Sequence, residues 1–277
     1  KQLPRLIYHI QTKWRDDPRP RAGLIRVREF TMKDSYSLDA DQEGLDKQYK
    51  AHYQSYFNIF HRCFLPVIVF KSDNGMMGGK LAHEFMYLSS IGEDTLLLCG
   101  QCGYKANRQV ARSKKEQLPF EEAKKLEKIF TPGAHTIEDL ANYLNIPKNK
   151  TAKAVLLVAK IPRGEEINDQ FIFTVIRGDM DLNETKLMKT LKAWDLRPAR
   201  EDEIQAVGAV PGFASPVGLK DLLIVVDDII PASPNLVGGA NEVDHHFLNT
   251  NFQRDYPESL VADITYANEG HACPDCG

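Results

Sequence analysis

KWRDDPRPRAGLIRVREFTMKDSYSL, residues 13–38, is the stretch whose reading decides the fold. Arg15 is followed two positions later by Asp17, then by a Pro/Arg turn, and Arg26, Phe30 and Asp34 recur every fourth residue inside an alternating run. Such a layout predicts two antiparallel strands joined by a basic loop. A planar guanidinium can meet a phosphate and a carboxylate together, further arginines can meet outer phosphates, and Phe30 offers a face to a purine. The hairpin therefore reads as a nucleotide clamp, or else as an ordinary hairpin with a solvated basic turn.

Around this stretch lie 277 residues, 43% of them hydrophobic, enough for a sizeable core and for two domains. Lys and Arg number 35 against 38 Asp and Glu, a net charge of −3. That balance excludes a global basic field, so nucleic acid must be met by local patches such as Arg15, Arg19, Arg21, Arg26 and Arg28. No apolar run approaches the roughly 20 residues of a membrane helix, and no leader is evident, so a cytoplasmic protein without membrane partners is expected. Lys at the first position and Gly at the last suggest an excised piece.

Outward from the clamp, residues 39–62 predict a helix capped by Asp39 or Asp41, with Leu45, Tyr49, Tyr53, Tyr56, Phe57 and Phe60 as a core stripe and Cys63 in the core beside it. PVIVF at 66–70 predicts a buried strand. Gly75, Gly78 and Gly79 predict a tight turn before His83 and Glu84. A strand and Cys99-x-x-Cys102 follow, then a charged stretch at 112–133 that reads as a partly helical, solvated linker. Thereafter Thr136 with Asp139 predicts a capped helix, TAKAVLLVAK, FIFTVIRGD and LLIVVDDII predict strands, and LNETKLMKTLKAW an amphipathic helix. The fold class is α+β.

The order R-x-D, variable loop, R-x-x-x-F-x-x-x-D resembles motif 2 of the class II aminoacyl-tRNA synthetases, and RPRAGLIRVREFTMKDSYSL that of the bacterial-type prolyl-tRNA synthetases. The Gly-Gly-x-x-x-His-Glu-Phe segment ending at Phe85 and the Y-x-A-N at 104–107 extend the resemblance. Residues 118–258 resemble that family's inserted editing domain, shared with small free-standing deacylases. The match rests on Thr151-Ala152-Lys153, Gly212-Phe213-Ala214-Ser215-Pro216, Arg177 to Glu184, and Gly239-Ala240-Asn241 followed by His246. Asp17, Lys80 and Met180 depart from the family's usual Glu, small residue and His.

The resemblance implies a partial class II antiparallel sheet over 1–117, interrupted by an α+β editing domain at 118–258, with a return segment at 259–277 and an exit strand within 251–270. Motif 1, motif 3 and the anticodon-binding domain are expected to lie outside this chain. It implies ATP with Mg²⁺, proline and tRNA(Pro) as partners, and a homodimeric full-length ligase. Arg15 is expected on the α-phosphate and the proline carboxylate, Asp17 on adenine or the tRNA end, Arg26 on the outer phosphates, Phe30 under adenine and His83 on proline. For editing of Ala-tRNA(Pro), Lys153 is expected to hold the terminal adenosine or its phosphate, and the loop from Gly212 to Pro216 to offer backbone N–H groups. His246 would position substrate or water, and Asp227 would orient by charge. A non-ligating tRNA-binding paralogue and a deacylase alone are the alternatives.

Cys99, Cys102, Cys273 and Cys276 form two C-x-x-C pairs flanking the insertion. An inserted domain must return close to where it left, which would gather four thiolates into a structural Zn²⁺ site. Four reduced thiols or disulfides are the other possibilities.

Overall fold

The computed structural model describes residues 2–75, 79–164, 166–256 and 259–277; Gly78 of the expected turn lies outside them. The chain divides into two compact units, one comprising residues 1–68 and 85–89 and the other residues 69–84 and 90–277.

In the first unit, β1 (Arg5–Trp14) and β2 (Glu29–Leu38) pair antiparallel from Arg5 opposite Leu38 to Trp14 opposite Glu29. This is the predicted hairpin, with residues 15–28 as its basic loop. Alternation sets its faces: Phe30, Met32 and Asp34 are half-buried while Glu29, Thr31 and Lys33 are exposed. Asp34 is bridged by Lys13 at 2.9 Å and His9 at 3.1 Å. Helix α1 (Gln42–Arg62) starts where Asp41 accepts a 2.8 Å bond from the Gly44 N–H. Its aromatic stripe gathers around Phe85, whose ring lies 5.0–5.8 Å from those of Tyr53, Tyr56, Phe57 and Phe60. The stripe is nevertheless not a closed core. No residue of α1 is buried, because Phe85 covers only part of it, and Leu45, Tyr49 and Tyr56 stay exposed. Cys63, expected in the core, is exposed at the helix C-cap.

Strands β3 (Val67–Ser72) and β4 (Ala82–Tyr87) have residues in both units. Within the second unit β6 (Lys105–Asn107) pairs antiparallel with β5 (Leu96–Leu98), and parallel with β3 at Lys71. Next come β7 (Glu127–Phe130) and α2 (Ile137–Leu144), whose Thr136–Asp139 capping box is the predicted one. Strands β8 (Ala152–Arg163) and β9 (Glu166–Arg177) pair along their whole length. They are followed by α3 (Glu184–Leu191), β10 (Asp195–Pro198), α4 (Glu201–Ala206) and β11 (Leu223–Asp227). The unit closes with β12 (Leu236–Gly239), β13 (His245–Thr250) and β14 (Leu260–Ala262).

A five-stranded mixed sheet runs β10-β8-β9-β11-β14 and a three-stranded one β12-β13-β7. Continuous Val/Ile/Phe runs in β9 and β11 bury both faces of the larger sheet. Phe173, Val175, Ile224 and Val226 pack on one side; Ile172, Ile176, Val225 and Leu187 of α3 pack on the other.

Two expectations change here. The linker expected to be partly helical forms neither helix nor strand over residues 115–126, and β7 follows, pairing with β13. Its helix-forming Lys, Glu and Leu yield to a long-range ladder. It is not uniformly solvated either, since the Lys115 side chain is only 7% exposed. The expected exit strand near 260 joins the central sheet as an edge, parallel to β11.

Candidate functional site

In the first unit the four residues expected at ATP are near neighbours around the base of the hairpin. The Arg15 N–H donates to the Arg28 carbonyl at 2.9 Å, and the Arg15 guanidinium lies 5.3 Å from the centre of the Phe30 ring. Arg26 Nε donates to an Asp17 carboxylate oxygen at 2.7 Å. Together with the Arg19 N–H, this holds the Asp17 carboxyl below the usual carboxylate range. A planar cation stacked on an aromatic face, beside a second arginine, can receive a purine and its phosphates. His83 lies in the second unit, half-buried on β4, where burial and then Lys71 lower its pKa.

The central body carries an open cleft of about 730 Å³. Lys153 and its neighbours on β8, His135 and Thr136 at the start of α2, Gly178, Gly212, Ala214 and Gly239 line it. Lys153 lines the cleft together with Ala152, Ala154, Val155 and Leu156, and its Nζ sits 3.1 Å from an Asp181 oxygen. Gly212 adopts φ +81°, a left-handed conformation open to glycine. The loop that follows lies against β12 so closely that a Cβ on Gly239 would come within 2.2 Å of the Phe213 carbonyl oxygen.

Asn241 holds the same loop from the other side. Its Oδ1 accepts the Ser215 N–H at 2.9 Å, its Nδ2 donates to the carbonyls of Ser215 and Val217, and its N–H donates to the Phe213 carbonyl. The N–H groups of Phe213, Ser215 and Val217 are thus already committed to protein acceptors. Gly212 and Ala214, both lining the cleft, remain as the loop's donors toward a ligand. Pro216 has no N–H to give and does not line the cleft.

His246, expected beside the substrate, is buried behind this loop and does not line the cleft. Its Nδ1 is 2.6 Å from the Thr131 hydroxyl, and its ring meets that of Phe213 edge-on at 5.5 Å. Phe213 in turn meets His135 at 5.4 Å, so His246 reaches the cleft wall through Phe213. Burial lowers the His246 pKa to about 4, and the imidazole is neutral at neutral pH.

Asp227 also stands away from the cleft. Wholly buried at the end of β11, it accepts 2.7 Å bonds from Lys115 on both oxygens and N–H bonds from Ile229 and Ile264. Lys115 bridges to Asp228 and Asp263 as well, and Lys186 to Asp263. Burial raises the Asp227 pKa, against the pull of Lys115. Asp227, Asp228 and Asp263 are close enough for a cation, but an ammonium already serves all three.

The four cysteines do converge. Their sulfurs all lie within 4.8 Å of one another, with Cys99 and Cys276 at 3.5 Å and Cys102 and Cys273 at 3.6 Å. Backbone N–H groups of Cys102 and Gln101 and the Cys276 thiol bring Cys99 down to about 6.

Thr131, Asp181 and the clamp made by Asn241 were not legible as site residues. Asn241 could have been suspected from the glycine pair before it, because a side-chain amide often braces a loop that glycine lets approach closely.

Residues 131–255 match the aminoacyl-tRNA editing domain family. Over its full length the chain is 51% identical to a proline–tRNA ligase of Salinispora tropica and 48% identical to one of Dehalococcoides mccartyi, covering 47% of each. A solved structure described provisionally as a trans-editing enzyme for prolyl tRNA synthetase covers 51% of this chain and 87% of its own length, at 18% identity and a TM-score of 0.41. The chain spans about half the length of the curated relatives it matches. These matches align the whole chain with a stretch of the proline–tRNA ligases about half their length, and residues 131–255 with the aminoacyl-tRNA editing domain family.

Proposed function

We propose that the central domain hydrolyses the ester of mischarged Ala-tRNA(Pro), and that the hairpin and His83 serve proline activation by ATP in the whole ligase. The observation that carries the reading is the cleft in which Lys153 faces the loop containing Gly212 and Ala214. A cation there suits the phosphate or ribose of the terminal adenosine, and two N–H groups suit an ester carbonyl whose oxygen gains charge as water attacks. His246 acts as a positioning residue through Phe213, keeping the loop at its distance from β12. Pro216 stiffens the end of the loop, and Asp227 fixes the chain approaching the domain through Lys115.

A second site is needed on energetic grounds. A pocket built for proline cannot sterically reject the smaller alanine, and the contacts that alanine lacks are worth only a few kcal/mol. A hydrolytic cleft that admits alanine and excludes proline supplies the remaining discrimination.

At the hairpin, Arg15 takes the α-phosphate and the proline carboxylate, Phe30 the adenine, Arg26 the outer phosphates and Asp17 the adenine or tRNA end. The paired Arg26 and Asp17 can do this while bonded, because a guanidinium has donors to spare. Mg²⁺ would enter with ATP and offset its phosphate charge. The editing domain occupies 118–258 and the synthetase portions 1–117 and 259–277. The full-length enzyme is homodimeric and cytoplasmic.

The test is hydrolysis of Ala-tRNA(Pro) by this chain, with Pro-tRNA(Pro) as control. Alanine is released and proline spared. Lys153→Ala abolishes that release, while stability changes by less than about 0.5 kcal/mol because the half-buried Lys153 pairs with the exposed Asp181. Unchanged hydrolysis in the variant, or equal release of both amino acids, overturns the reading.

A further inference from the structure

We propose that Cys99, Cys102, Cys273 and Cys276 bind one zinc ion, and that this ion clasps the neck through which residues 103–272 leave and rejoin the rest of the second unit. Tetrahedral thiolate zinc, with bonds of about 2.3 Å, sets its sulfurs about 3.8 Å apart. The facing pairs here are 3.5 and 3.6 Å apart, and all four sulfurs fall within 4.8 Å, so the cage needs only small adjustment.

The backbone gives a second, independent argument. Each C-x-x-C closes in the same way, with a glycine directly after the second cysteine in the left-handed region, φ +78° at Gly103 and +96° at Gly277. Each of these glycines donates its N–H to the carbonyl of the first cysteine, at 3.3 and 3.0 Å. Two copies of one turn, distant in sequence, therefore present their thiols to a common point. Four soft ligands with no carboxylate or imidazole among them suit zinc over harder divalent cations.

The segments leading away from the cage also run side by side. The Lys114 N–H donates to the Ala272 carbonyl at 3.0 Å, and Arg108 donates to the Asn268 side chain at 2.6 Å. The buried cluster of Ala106, Ala111 and Ala267 and the Arg108 guanidinium over the Tyr266 ring hold the same crossing, and closing a long loop at its root removes much of the freedom of the open chain.

The inference is tested on the full chain purified without chelator. Elemental analysis gives one zinc per chain, and exchange with Co²⁺ gives the charge-transfer and d–d bands of a tetrahedral tetrathiolate. Cys99→Ser combined with Cys276→Ser loses the ion, whereas Cys63→Ser keeps it. Stripping the zinc speeds tryptic cleavage at Lys105, Arg108, Arg112 and Lys114 about tenfold, since local opening governs that rate. Zinc-free protein with four titratable thiols, two disulfides in place of the thiols, iron in the cage, or zinc retained by the double variant each overturn the proposal. None of these readouts depends on aminoacyl-tRNA hydrolysis.

Discussion

Phe173 and Phe85 are both phenylalanines on β-strands, yet one is wholly buried and the other sits in a cluster that solvent still reaches. The contrast holds for their surroundings. No described residue of the hairpin unit is buried, whereas the central body closes two cores on opposite faces of one sheet. The first unit is organised by register, caps and ion pairs, the second by apolar burial, and burial stabilises a fold more than exposed ion pairs do.

The sharpest way to break this comparison is to cut both rings back. Phe173→Ala should cost about 3–5 kcal/mol in chemical denaturation, because a closed core cannot collapse around the cavity. Phe85→Ala should cost less than half as much, because water already reaches the ring cluster. Equal losses would mean that the hairpin unit has a core of its own.

A somewhat smaller loss tests how the central body tolerates charge. Lys115→Met leaves Asp227 wholly buried without its bonded cation, while Lys186 still pairs with Asp263, and should cost roughly 3 kcal/mol or more. Restoration by the double change Lys115→Met, Asp227→Leu would identify the stranded carboxylate as the cause.

The smallest effect appears in the pH dependence. His246 has a folded-state pKa of about 4 against an ordinary value of 6.5, so between these the unfolded chain binds the extra proton. Its contribution is complete above pH 6.5 and falls away as the pH drops toward 4, by on the order of 3 kcal/mol. His246→Gln should flatten that limb when stability is followed from pH 7 to 4; an unaltered slope would mean that the imidazole titrates normally.

Much of this molecule could be read before folding. Alternation and a Pro/Arg turn marked the hairpin, since both its strands and its connection are local. Asp41 and Thr136 marked helix starts through caps spanning three residues. The cysteine spacing marked the cage. What escaped was long-range or mediated. Lys115 finds Asp227 more than a hundred residues away, and nothing near either announces the pair. Glu127 and Lys128 favour helix, and the ladder to His245–Leu248 holds them in a strand with Ile129 and Phe130. His246 was expected at the substrate, yet its influence passes through Phe213, a packing relation that spacing does not encode.

The pairing of β7 with β13 has a consequence in time. The chain emerges from the ribosome at about 5–20 residues per second, so the strand ending at Phe130 waits on the order of ten seconds for its partner beginning at His245. The β8–β9 hairpin, whose strands are made one after the other, can zip within that interval. The nascent domain therefore passes through a stage with its central hairpin formed and β7 still without its partner strand.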